Sequence, residues 1–83
     1  MGQIGRRKPK RLSGKLLGIR QKLGISQTEM AKRLKLRAAY TSVSGYERGV
    51  REPALQTLLA YARLVDISTD VLIDDKLSLP WEL

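Results

Sequence analysis

Two short segments, residues 26–31 and 43–49, carry the side chains whose types and spacing indicate chemistry. The first segment is able to begin a helix and the second to end one, and the residues between them are basic, small or hydroxylated rather than acidic. Hydroxyl, amide and guanidinium groups on such helices donate hydrogen bonds to phosphates and base edges. The pattern therefore predicts a surface that reads the groove of a nucleic acid.

The chain offers little for catalysis or metal binding. It contains no Cys and no His, which excludes thiolate chemistry, disulfides, imidazole acid–base catalysis and most zinc or iron sites. The remaining titratable groups form no recognisable set of nucleophile and base. Asp70, Asp74 and Asp75 are close in sequence but lack the glycine and the alternation of a calcium loop. We therefore predict a protein that is not an enzyme and uses no cofactor or metal.

Charge is distributed unevenly along the 83 residues. Residues 1–51 hold 14 Lys and Arg against two acids, a formal charge of +12, whereas residues 52–83 hold two against six, a charge of −4. One end of the molecule should therefore attract polyanions. The alternative is a basic face that only keeps the protein soluble. No run approaches the roughly 20 apolar residues that span a bilayer, and we expect a soluble, cytoplasmic protein.

Helical periodicity predicts five helices and hence an all-α fold. The first begins at the N-cap Ser13 and ends at Gly24, which supplies a left-handed stop. The second has Ser26 as its N-cap and Glu29 as the second member of a capping box, and it runs to about Leu34.

The other three helices follow the same rules. The third ends at Gly49, and its first residue is open between Tyr40 and Ser42. The fourth follows Pro53, and Ser68 caps the fifth. The fourth helix is expected to bury one apolar face, consisting of Leu55, Leu58, Leu59, Ala62 and Val65.

In their order and spacing these features resemble the phage repressor and Cro-like helix-turn-helix family, also called the XRE family. The resemblance covers about residues 16–73. It rests on Arg20, on Ser26-Gln27 with Ala31, on Ser44-x-Tyr46-Glu47-Arg48-Gly49, on Pro53 before a Leu-rich helix, and on Ile67-Ser68-Thr69-Asp70. It implies a compact five-helix, lambda-repressor-like bundle whose second and third helices form the helix-turn-helix. The third helix would lie in the major groove of double-stranded DNA, normally in a homodimer on a palindromic operator.

What the resemblance implies is a small transcriptional regulator, most simply a repressor, with roles for individual residues. Four residues fall on base-facing positions: Tyr40, Thr41, Ser44 and Gly45. Four fall where such proteins hold the DNA phosphates: Gln27, Arg37, Arg48 and Arg51. Arg20 and Glu47 would form a partly buried ion pair between the first and third helices. The alternative for Glu47 is an ordinary solvated charge.

The turn before the third helix departs from the family pattern. Residues 35–39 contain two residues more than the usual tight turn, which leaves the register of the third helix open. Ala39 and Gly45 stand where a long side chain would reach a base edge. Direct readout should therefore be sparse, with a larger share of the selectivity left to DNA shape.

Two flanking segments complete the predicted organisation around a domain at residues 12–75. Residues 1–11 form a flexible arm that either contacts the minor groove and phosphates or is a solvated tail. Its basic residues are Arg6, Arg7, Lys8, Lys10 and Arg11. Residues 76–83 form a tail around Trp81 that either makes a dimer contact or folds back on its own bundle.

Two other functions stay open at this point. One is a protein-interaction module, such as an antitoxin, in which the acidic and apolar C-terminal segment binds a partner protein. The other is a sequence-indifferent binder of nucleic acid that uses charge alone.

Overall fold

The computed structural model of the chain describes residues 9–36 and 40–82, with the side chain of Tyr40 outside that description. The described residues form five α-helices and no strand, so the predicted all-α fold is confirmed. The helices are α1 (Leu12–Leu23), α2 (Gln27–Arg33), α3 (Tyr40–Arg48), α4 (Leu55–Leu64) and α5 (Thr69–Ile73), followed by a 3-10 turn at Pro80–Glu82. None of these helices combines the length and the apolar character needed to cross a membrane.

Local side-chain caps explain where α2 and α5 begin. Ser26 Oγ accepts a hydrogen bond from the Glu29 N–H at 3.0 Å, and Ser68 Oγ accepts one from the Asp70 N–H at 3.2 Å. Each bond satisfies a backbone donor that the first turn of a helix leaves unpaired. The Glu29 carboxylate pairs with Arg33 Nε, one turn later, at 3.2 Å.

The start of α1 differs from the prediction. The helix begins at Leu12, and Ser13, the predicted N-cap, lies inside it. No described side chain caps the first turn of α1; the Asp75 carboxylate instead holds the chain before the helix, where it accepts hydrogen bonds from the N–H groups of Lys10 and Arg11 at 2.9 and 3.0 Å. Asp75 is 65 and 64 residues away from these donors, so a search for nearby caps could not have found it.

A single core joins the five helices. α3 packs on α1 and α2, and α5 packs on α1 and α4. The C-terminal tail belongs to this core, since Leu79 is fully buried and Trp81 packs against it beneath the Lys22 ammonium, which lies 5.6 Å from the indole ring. Leu79 and Trp81 of the tail thus contact the bundle of the same chain, and the dimer contact stays a prediction.

The buried face of α4 overlaps the predicted one only in part. Leu58 and Ala62 are buried as expected, but Leu55 is 80% exposed and Leu59 is also exposed. Tyr61 takes part in the core instead, with its ring edge-on to another core tyrosine, Tyr46, at 6.5 Å between centroids. Leu55 is the first residue of the helix. Leu59 lies about 100° around the helix axis from Leu58, which turns its side chain away from the core.

Candidate nucleic-acid interface

The outer face of α3 carries a row of three polar side chains. Thr41 and Arg48 are exposed and Ser44 is partly exposed, and their spacing of three and four residues places them on one side of the helix. Val43 and Tyr46 are buried on the other side. Arg48 Nε donates a hydrogen bond to Ser44 Oγ at 3.2 Å. We refer to Thr41, Ser44 and Arg48 as the α3 strip.

Glu47 joins three helices beside the α3 strip. Its carboxylate accepts hydrogen bonds from Arg20 Nε at 2.6 Å and Nη2 at 3.0 Å, and from Gln27 Nε2 at 3.0 Å. The Glu47 side chain is only 5% exposed and that of Arg20 20%. Arg20 Nη1 also donates to the Ile25 carbonyl at 3.0 Å, and the hydrogen bond to Glu47 raises the pKa of Arg20. α1, α2 and α3 are thereby held together at one point.

Gln27 is the first residue of α2, and its amide is turned toward this ion pair. The bond to Glu47 gives Gln27 a structural part in holding α2 against α3. A primary amide has two N–H donors, so one remains for an acceptor outside the protein.

Gly45 is buried, in contrast to the open, base-facing position predicted for it. The side chain of Arg51, from the loop between α3 and α4, lies on it. A Cβ atom at position 45 would stand 3.0–3.2 Å from the Cδ, Cγ and Cβ atoms of Arg51. The Arg51 guanidinium continues along the helix, and its Nη1 donates to Ser42 Oγ at 3.3 Å. Arg51 therefore forms the surface at the place where Gly45 was expected to do so.

Arg11, the last residue of the predicted arm, is exposed but hydrogen-bonded to the segment that follows α5. Its guanidinium donates to the Asp75 carbonyl at 2.8 Å, the Leu77 carbonyl at 3.2 Å and Ser78 Oγ at 3.2 Å. Residues 1–8 lie outside the described part of the chain, and the arm at residues 1–11 stays a prediction. Lys10, one residue earlier, is exposed and lines an open cleft together with Arg51.

Lys15 has a structural role that the sequence reasoning missed. The residue is only 2% exposed, and its ammonium donates to the carbonyls of Val71 at 2.7 Å and Asp74 at 2.9 Å, at the C-terminal end of α5. Burial lowers the pKa of Lys15. Its spacing from Leu12 and Ile19, three and four residues away on the buried stripe of α1, was the available signal.

The aspartates of the C-terminal part act separately. Asp75 binds backbone N–H groups before α1, and Asp74 Oδ1 accepts from the Lys76 N–H at 2.9 Å. Within residues 9–36 and 40–82, no group of three or more acidic side chains is placed to hold a metal ion.

Several predicted site residues lie outside the described part of the chain. These are Arg6, Arg7, Lys8 and Arg37, together with the side chain of Tyr40. Their roles stay predictions.

Comparison with known proteins gives a consistent result. A family model described as helix-turn-helix matches residues 16–72, more than half of the chain. The chain is 39% identical over 62 residues, 75% of its length, to the HTH-type transcriptional regulator ImmR of Bacillus subtilis strain 168. It is 40% identical over 57 residues, 69% of its length, to the antitoxin HigA1 of Mycobacterium tuberculosis. The matches span 47% of ImmR and 37% of HigA1, so the chain covers less than half of either relative.

Among solved structures, the fold is similar to the P22 c2 repressor in complex with a synthetic operator. The TM-score is 0.68 at 26% sequence identity, and the match covers 77% of this chain and 94% of the other.

Proposed function

The chain belongs to the helix-turn-helix family, and on that premise we propose that it binds specific sequences of double-stranded DNA and regulates transcription, most simply as a repressor. α3 would enter the major groove, and α2 would lie across it and hold it in place. The proposal involves no catalysis and no cofactor. It places the protein in the cytoplasm, at the nucleoid.

The observation that carries this proposal is the α3 strip with its support. The strip is exposed and polar, whereas the opposite face of α3 is buried and fixed through Glu47 to Arg20 and Gln27. A reading helix must keep its orientation while its outer side chains exchange water for base edges. A largely buried ion pair beside the strip provides that rigidity.

Positive charge surrounds the same helix. Arg48 is bonded to Ser44 within α3, Arg51 lies along α3, and Lys10 shares a cleft with Arg51. Cations in these places would attract the DNA phosphates and contribute affinity that depends on salt.

Within this proposal the residues divide into two groups. Tyr40, Thr41 and Ser44 would contact base edges and thymine methyl groups. Gln27, Arg37 and Arg48 would contact phosphates, and the arm residues Arg6, Arg7, Lys8 and Lys10 would contact the backbone or the minor groove. A homodimer would place two copies of α3 on the half-sites of a palindrome.

The test is a selection of duplexes from a random pool, followed by competition titration at about 0.15 M salt. We expect a shared motif among the selected duplexes and an affinity for it about 1,000-fold or more above that for random duplex. Equal affinity for selected and random duplexes would support the sequence-indifferent binder instead.

A second candidate function, the antitoxin, is favoured by the similarity to HigA1. The residues for a partner would come from the outward apolar side chains near the C-terminus, namely Ile73 and Leu77, because Leu79 is used by the core. Co-expression with the product of an adjacent gene would test this function. A toxic or insoluble product that this chain neutralises would support it.

A further inference from the structure

Arg51 occupies the space that a side chain at position 45 would fill. Gly49 adopts a left-handed conformation with φ of 76°, which turns the chain back over α3. The N–H groups of Val50 and Arg51 then both donate to the Gly45 carbonyl, at 3.0 and 3.2 Å. Because Gly45 has no Cβ, the stem of Arg51 lies directly on its backbone, with Cδ, Cγ and Cβ all within 3.2 Å of the position a Cβ would take.

This arrangement directs the Arg51 guanidinium toward the N-terminal half of α3. Its Nη1 reaches Ser42 Oγ in the first turn of the helix, next in sequence to the exposed Thr41. The N-terminal residues of a recognition helix are those that contact base edges, whereas the loop after such a helix runs along the DNA backbone. The backbone of Arg51 lies in the loop, but its guanidinium lies beside the first turn of α3.

The guanidinium is available for an outside acceptor. It has five N–H donors, one of which is used by Ser42. No carboxylate in the described ranges lies within ion-pair distance of Arg51, and the helix dipole favours an anion rather than a cation near the start of α3. The position is therefore held by the fit to Gly45 and the bond to Ser42, and not by a charge partner within the protein.

We propose that Arg51 is a specificity-determining residue that donates to the O6 and N7 acceptors of a guanine in the major groove, beside Thr41. This inference rests on the proposed DNA-binding function and replaces the phosphate contact that the family resemblance implies for Arg51. Bidentate contact of Arg with guanine matches the fork of donors that Arg51 presents. Gly45 would be the residue that makes this contact possible, because it leaves room for the Arg51 stem on α3.

The experiment compares the base preferences of the wild type with those of Arg51→Ala, Arg51→Lys, Gly45→Ala and the double variant, each measured by selection from a random pool and titration of single-base variants of the selected duplex. Arg51→Ala should abolish the preference for G·C at one position of each half-site, a loss of roughly 5- to 150-fold in discrimination, and leave the other positions unchanged. Arg51→Lys should retain most of the salt dependence but lose most of that preference.

Gly45→Ala provides the matched test, since it displaces the stem of Arg51 but keeps its charge. It should weaken the preference at the same base pair in the wild-type background and have no effect there in the Arg51→Ala background. Far-UV circular dichroism and thermal unfolding of each variant check that the helices are intact.

Two results would overturn the inference. If Arg51→Ala lowers affinity for all duplexes alike and leaves every base preference in place, Arg51 contacts only phosphate. If Gly45→Ala acts at a different base pair, Gly45 does not position Arg51. A wild-type protein that selects no motif would refute the proposed function itself, and the inference with it.

Discussion

At the scale of single residues, the carboxylate of Glu47 holds the reading surface in place. The Glu47 side chain is only 5% exposed, and two of its hydrogen bonds come from Arg20. Removing one partner of a buried ion pair leaves the other charged and unpaired, which costs far more than the loss of an exposed pair.

We therefore predict that Arg20→Ala lowers the free energy of unfolding by about 2–3 kcal/mol, at the low end for buried pairs because Arg20 keeps some access to solvent. The matched control is Arg33→Ala, which removes the exposed pair between Glu29 and Arg33, with both side chains 42% exposed. It should cost at most about 0.3–0.5 kcal/mol, and the higher helix propensity of Ala should offset part of that loss. Urea unfolding measures both values, and equal losses would show that Glu47 does not depend on Arg20.

Residues whose contacts lie close in sequence could be predicted from the sequence, whereas residues whose contacts come from another segment could not. Ser26 and Ser68 act within three residues of themselves, and the sequence identified both as caps. Gly45 was predicted to be open because nothing in its helix covers it, but Arg51 covers it from a loop that reverses direction at Gly49. Helical periodicity can predict that a residue faces away from the core, but it cannot show whether a following loop covers that residue.

At the scale of secondary-structure elements, the chain just before α1 is held in place by the segment that follows α5. Asp75 binds the backbone just before α1, and the hydrogen bonds from the N–H groups of Lys10 and Arg11 hold the pKa of its carboxyl below the ordinary value of 3.8. Since the folded pKa is below the unfolded one, Asp75 contributes stability above pH 4 that is lost as the pH falls through the folded pKa.

We predict that Asp75→Asn reduces stability at pH 7 and makes the loss of stability below pH 4 less steep than in the wild type. The control is Asp66→Asn, which removes one exposed carboxylate from the turn between α4 and α5. Thermal unfolding followed between pH 2 and pH 7 would make the comparison. Parallel pH profiles for wild type and Asp75→Asn would contradict this role of Asp75.

The helices, like the single residues, were predicted well where local residues determine them and poorly where distant segments do. α2 and the end of α3 have strong local signals and were predicted closely, since their caps and glycines lie within the segment. The start of α1 and the buried face of α4 depend on which parts of the chain lie nearby; the first was predicted wrongly, and the second was right for Leu58 and Ala62 but wrong for Leu55 and Leu59. Tyr61 was not identified as a core residue because the leucines around it gave the stronger apolar pattern.

At the scale of the whole molecule, self-association has few residues left to use in the C-terminal segment. Leu79 is fully buried and Trp81 packs against its own core, so Leu77 is the exposed apolar side chain of the tail within the described ranges. A homodimer formed through the tail would therefore use Leu77.

We predict that the wild type has the mass of a dimer in sedimentation equilibrium and that Leu77→Lys shifts it toward the monomer. Leu55→Lys is the control, because Leu55 is a more exposed leucine that lies outside the tail, at the first residue of α4. A wild-type monomer, or an equal effect of both substitutions, would show that the tail is not a dimer contact.

The central claim is that Thr41 and Ser44 of the α3 strip read DNA bases, and the base preference of variants at these two residues tests it most directly. Duplex selection would be carried out with the wild type, Thr41→Ala and Ser44→Ala, and with Gln56→Ala on the exposed surface of α4 as the control. We predict that each strip variant loses about 1 kcal/mol or more of discrimination at particular base pairs, whereas Gln56→Ala selects the wild-type motif. The same motif from all four proteins would contradict the claim.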